Sequence, residues 1–131
     1  MSKKILIAAH KAYEVPKSSL YMPIQVGAAG KDSIGFIRDD SGDNISDLNA
    51  NFCELTGAYW AWKNCDADYI GLVHYRRYFA GKEIFKVNGK TKIILSEKEL
   101  DKLLLKTDII LPKKRNYYIE TLYSHYAHTM Y

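Results

Sequence analysis

Tyr69-Ile70-Gly71-Leu72-Val73-His74-Tyr75-Arg76-Arg77-Tyr78-Phe79 is the stretch from which the rest of the chain can be read. Its first half is short, apolar and flanked by aromatics, so Tyr69–Tyr75 is read as a strand buried in a sheet. Its second half places a histidine and two adjacent arginines where that strand ends. A core strand seldom ends in such groups without a charge to meet. The guanidinium is a planar fork suited to phosphate oxygens, and the tyrosines offer faces on which a base or a sugar can stack. The plainer alternative pairs one arginine with a nearby carboxylate and packs the aromatics in the core.

The same pattern recurs at the other end. Ile5–Ala9 is a short apolar run that stops at His10-Lys11. If it is a parallel neighbour of the first strand, two basic strand ends converge on one cleft. Residues 10–32 contain Pro16, Pro23, Gly27 and Gly30 and are expected to form a long irregular connection, of the kind that carries ligands at the carboxyl ends of strands. Ser33–Ile37 suggests a short strand. The polar turn from Arg38 to Asn44 leads to a helix over Ser46–Asn64, with Leu48, Phe52, Leu55, Tyr59 and Trp62 as its buried face and Ser46 or Asn44 as its cap. Asn88-Gly89 between Ile84–Val87 and Lys92–Leu95 predicts a hairpin. Ser96 with Glu99 is a capping box opening a helix to about Lys106. Thr107–Leu111 reads as a strand stopped by Pro112, and Asn116–His128 as a final helix. Strands alternating with helices predict an α/β layered domain with the hairpin as an insertion. The ending at Tyr131, in or just after a helix, suggests the N-terminal part of a longer domain.

Composition narrows the class. The 131 residues are 47% hydrophobic and 26% charged, which excludes wholesale disorder and fits one modest domain. The net charge of +4 is mildly basic, and the short run Lys113-Lys114-Arg115 falls well short of a nucleic-acid tail, so nucleic acid is not expected as a partner. No stretch approaches the roughly 20 apolar residues of a membrane span, and five apolar residues after Lys3-Lys4 are too few for a signal peptide. Cys53 and Cys65, at opposite ends of the predicted helix, would stand about 18 Å apart, which points to free thiols and a cytoplasmic protein. The acidic turn Asp39-Asp40-Ser41-Gly42-Asp43-Asn44 is read chiefly as a turn and cap, with binding of a cation or of ribose hydroxyls as the alternative. His125 and His128 share a helix face but lack a third ligand of diagnostic spacing. Gly27–Ser33 imitates a phosphate loop, yet Asp32 follows Lys31 where Ser or Thr is needed.

Several segments carry a resemblance together. They are His10-Lys11 with Tyr21–Ala28, Asp43-Asn44-Ile45-Ser46 with Asn49, Glu54–Asn64, Gly71–Phe79, and Tyr117–Tyr123 with His125-Tyr126. The chain resembles an uncharacterised bacterial family of capsular and exopolysaccharide biosynthesis proteins, described as glycosyltransferases with a GT-A-like fold. The resemblance implies a Rossmann-like mixed sheet flanked by helices and a single, incomplete nucleotide-sugar-binding domain over residues 1–131. It implies a nucleotide-sugar donor, and a polysaccharide or lipid-linked glycan as acceptor. Association with a membrane surface and self-association are compatible with it. In such folds an Asp-x-Asp motif and its metal neutralise the diphosphate at the end of a central strand. Here His74-Tyr75-Arg76-Arg77 takes that place, so a metal-independent site is expected in which Arg76 and Arg77 supply the positive charge, without excluding a divalent cation. His10 and Lys11 would approach the nucleotide, with Asp43 or Asn44 on sugar or ribose hydroxyls. Asp43, Glu54 and His74 are weak candidates for a general base. The alternative is a non-catalytic sugar- or nucleotide-binding or assembly module.

Overall fold

Lys3–Ala9 is strand β1, and its alternation decides the layering. Ile5, Ile7 and Ala9 point into one apolar cluster, Leu6 and Ala8 into another on the opposite face. A strand buried on both sides is the mark of a covered parallel sheet. The computed structural model describes residues 2–113. In it β1 lies between β2 (Tyr21–Gln25) and β4 (Tyr69–His74), with the two-residue β3 (Ile37–Arg38) beyond β2. The order is β3-β2-β1-β4 and every pairing is parallel. Among the described residues, the sheet expected to be mixed is therefore parallel. The antiparallel strands β5 (Ala80–Val87) and β6 (Lys90–Ile94) form a separate two-stranded sheet, joined at Asn88 and Gly89, both at positive φ (52° and 75°).

Three further expectations are corrected. The connection over 10–32 contains β2, hidden in the sequence by Pro23. β3 begins opposite Ile24, so no outer neighbour asks Pro23 for the donor it lacks. The short strand expected at Ser33–Ile37 is displaced to Ile37–Arg38. Thr107–Leu111 forms no strand: the Thr107 hydroxyl turns the backbone locally through Ile109, and only Ile110 packs on the core. The final helix expected at Asn116–His128, with His125 and His128, lies outside the described residues.

The helix expected over Ser46–Asn64 is broken. A 3-10 turn (Ser46–Leu48) leads into α1 (Asn49–Phe52), Cys53 adopts φ 51°, and α2 runs over Leu55–Asn64. Ser46 makes no helix cap, because its hydroxyl binds Asp39. The buried face is Thr56, Gly57, Trp60 and Ala61, whereas Leu48, Phe52, Leu55 and Trp62 are exposed. Small residues win because they bring the helix close to the sheet: a Cβ on Gly57 would lie 2.9 Å from a Val26 methyl.

One face of the sheet is thus covered by α2. The other is covered by the connection carrying Tyr13 and Val15, by the hairpin, and by α3 (Glu97–Leu104) through Leu100 and Leu104. Ser96 caps α3 by accepting from the Glu99 amide, as expected, and Lys3 anchors the helix to β1 through Asp101 at 2.6 Å.

Candidate functional site: a two-lobed cleft at the strand ends

In a parallel sheet, a crevice opens where consecutive connections leave a strand in opposite directions. Here β1 has β2 on one side and β4 on the other, so the crevice lies between the carboxyl ends of β1 and β4. The register sets Ala8 opposite His74, and His10 follows directly after the end of β1 at Ala9. The pocket there, about 260 Å³, has Ala8 and Val26 at its base and His10, His74, Lys31, Asn49 and Glu54 among its walls. The structure brings His10, His74 and Glu54 together.

The arginines are set by a tight turn. The Arg77 amide donates to the His74 carbonyl at 2.9 Å, which reverses the chain directly after β4. Arg76 leans over Tyr75: its Nε donates to the Tyr75 hydroxyl at 3.0 Å and its guanidinium carbon lies 5.1 Å from the ring centre. It lines a second hollow, about 420 Å³, with Tyr13, Asn88, Lys90 and Lys92. Arg77 and Lys11 are exposed. Tyr75 is the partition between the lobes, with Tyr13 stacked on it at 4.1 Å, and His74 and His10 against it at 4.1 and 5.5 Å.

Burial, and then the nearby charges of Arg76, His10 and Arg77, hold the His74 imidazole below its ordinary proton affinity, with Glu54 opposing them. The Tyr75 phenol is likewise more acidic than usual, through hydrogen bonds from Tyr13 and then Arg76, while Tyr13 is shifted the other way by the same bond.

Asp43 and Asn44 are not brought to the cleft. Asp43 accepts from the Tyr59 hydroxyl at 3.0 Å and meets Lys63 at 4.0 Å, while its carbonyl holds Asn64, all three of them in α2. Asn44 binds the Gly42 carbonyl and the Ser46 amide. The rest of the acidic turn is consumed too. Arg38 grips Asp40 through two bonds, at 2.8 and 3.1 Å. Asp39, fully buried, accepts from the amides of Gly27 and Ala28 and the hydroxyls of Ser46 and Thr56. The loop that imitates a phosphate cradle therefore spends two of its N–H groups on an internal carboxylate.

Sequence reasoning missed Tyr13, Lys31, Asn49, Lys90 and Lys92. Lys31 was signalled by its place in the glycine-rich loop after β2. Nothing local marked the others, which reach the cleft through tertiary packing.

Residues 4–131 match the profile of the family described as a domain of unknown function, DUF4422. The chain belongs to the DUF4422 family. A solved structure, the apo form of the bifunctional glycosyltransferase WbbM, superposes on the DUF4422 chain with a TM-score of 0.59 and 42% identity. The match covers 63% of this chain and 15% of that one, so this chain corresponds to a small part of WbbM's length. No curated protein matches. The DUF4422 chain thus has an α/β, glycosyltransferase-like fold. Among the described residues, no helix is long and apolar enough to cross a membrane.

Among the described residues, the end of β4 carries no Asp-x-Asp pair to hold a divalent cation. The end of β4 offers an imidazole and two guanidinium groups, and the described residues gather no set of three metal-ligating side chains.

Proposed function

We propose that this DUF4422 chain is the donor-binding part of a GT-A-like glycosyltransferase, with residues 1–131 holding a nucleotide-sugar over the ends of β1 and β4. The activity belongs to cytoplasmic assembly of capsular or extracellular polysaccharide. One observation carries the reading: His10 and His74 converge at the switch point of a parallel sheet, beside Arg77, in a chain 42% identical to part of a glycosyltransferase.

His10, Lys11, Lys31 and Arg77 supply the donors and positive charge that a diphosphate needs, in place of a metal. Arg76 stands at the boundary of the lobes. In transfer, the acceptor hydroxyl oxygen bonds to the anomeric carbon. The bond from that carbon to the diphosphate oxygen breaks, and its electron pair leaves on the nucleoside diphosphate. Glu54 and neutral His74 are the basic groups of the pocket able to take the hydroxyl proton.

Calorimetry with UDP and UDP-sugars tests this. Binding is expected in the presence of chelator, and His10→Ala with His74→Ala should weaken it about tenfold or more. Binding abolished by chelator would overturn the metal-free site.

A non-catalytic sugar- or nucleotide-binding module is the second reading, favoured by a single observation: among the described residues, Glu54 is the only carboxylate lining the pocket. The two part on turnover. Under the transferase reading, Glu54→Gln retains UDP binding but loses the slow release of UDP from a UDP-sugar. If the parent protein binds UDP-sugars and never releases UDP, the module reading stands.

A further inference from the structure

The second lobe has an unusual wall. Directly paired residues of two strands share a face, and in the hairpin Val87 faces Lys90 while Phe85 faces Lys92. Val87 is buried and Phe85 packs on the core, so this is the inner face. The hairpin therefore sets two lysines on the face that carries Val87 and Phe85, Lys92 half-buried and Lys90 exposed at the rim, and leaves Ile84 and Ile93 on the outer face, 69% and 59% exposed. Lys90, Lys92 and Arg76 share the hollow, and among the described residues no carboxylate lines it. The nearest acid on the facing loop, Glu14, is occupied at the hairpin tip, where it accepts from the Gly89 amide at 3.0 Å and its carbonyl from the Asn88 amide at 3.1 Å.

The geometry suits a particular ligand. Tyr13 and Tyr75 are stacked face to face, their planes 13° apart and their centres 4.1 Å apart, and this aromatic pair lines the hollow. Tyr75 fixes Arg76 through Nε, which leaves both terminal nitrogens of the fork for a two-pronged grip. Three like charges held around one hollow repel each other, and an anion relieves that repulsion. We propose that this hollow binds an anionic sugar of the acceptor glycan, bearing a carboxylate or a phosphate. Arg76 clamps the anion, Lys90 and Lys92 flank it, and the sugar ring lies against the stacked Tyr13–Tyr75 pair. The assignment of the sugar to the acceptor rests on the glycosyltransferase reading above; the anion site itself does not.

Calorimetry on the full-length protein tests the proposal with tetragalacturonate, mannose 6-phosphate, neutral maltotetraose and UDP as probes. One or both anionic sugars should bind, the tighter one naming the group, with maltotetraose about tenfold weaker or more and the anionic affinity falling as salt rises. Lys90→Gln with Lys92→Gln should weaken the anionic sugar about tenfold and leave UDP unchanged, and Lys90→Arg with Lys92→Arg should restore it. Equal binding of charged and neutral sugars, or a glutamine variant that binds like the parent, overturns the proposal. So does a parallel loss of UDP affinity, which would give the hollow to the donor's diphosphate. If UDP fails to bind while the lysine-dependent sugar binding persists, the donor reading falls and the anion site stands.

Discussion

His74 shows how one residue combines position and titration. Its place at the end of β4 makes it a wall of the cleft, and its partial burial beside Arg76, His10 and Arg77 disfavours the charged imidazolium. Unfolded, the residue takes up its proton near the ordinary value of 6.5, whereas the folded protein resists until the pH is lower. Between those two values the unfolded state holds more protons, so this contribution to stability is complete above 6.5 and is lost as pH falls through the depressed value. His74→Gln should flatten the decline of the urea midpoint on acidification below 6.5. A decline as steep as the parent's would show that other groups cause it.

At the scale of elements, the hairpin depends on a close approach that only glycine permits. The β5–β6 register shifts between Ala80 and Glu83, and at Gly81 a Cβ would run into the backbone of Ile94 and Leu95. Neither backbone group can rotate aside, so Gly81→Ala should cost about 2 kcal/mol or more by forcing the strands apart. Gly30 is the control. It has a positive φ, 75°, and open space around it, so Gly30→Ala should cost only the left-handed penalty of about 1 kcal/mol. Equal losses for the two, measured by urea denaturation, would contradict the packing argument. The break in the helix at Cys53 belongs to the same scale. Asn49 Nδ2 reaches both the Cys53 carbonyl and the Thr56 hydroxyl, and that bond set replaces the continuous helical ladder.

For the whole molecule the decisive residue is Asp39. Its four bonds join the loop after β2, which carries Lys31, to the 3-10 turn just before Asn49 and to the first turn of α2 just after Glu54, and Lys31, Asn49 and Glu54 all line the cleft. Asp39→Asn would place an amide NH₂ among four donors and should cost about 3 kcal/mol or more, lowering the thermal midpoint and weakening UDP binding together. A loss under about 1 kcal/mol would show that water or a rearranged loop replaces the carboxylate. The parallel order β3-β2-β1-β4 acts at this scale too, since it alone makes neighbours of His10 and His74, 64 positions apart.

Local chemistry was enough to read β1, β4, the Asn88-Gly89 hairpin and the Ser96 cap, because each rests on a pattern complete within a few residues. The same patterns placed His10, His74 and the arginines at strand ends. They could not show that β2 survives Pro23, since that depends on how far β3 extends beside it. Nor could they show that Thr56 and Gly57 are buried in place of Leu55 and Trp62, since a carboxylate 17 positions away holds Thr56 and a close sheet demands Gly57. The fate of Asp39 and Asp43 and the place of Lys90 and Lys92 beside Arg76 were decided by packing alone: a charged side chain carries no local mark of whether its partner is solvent, a distant hydroxyl or a ligand.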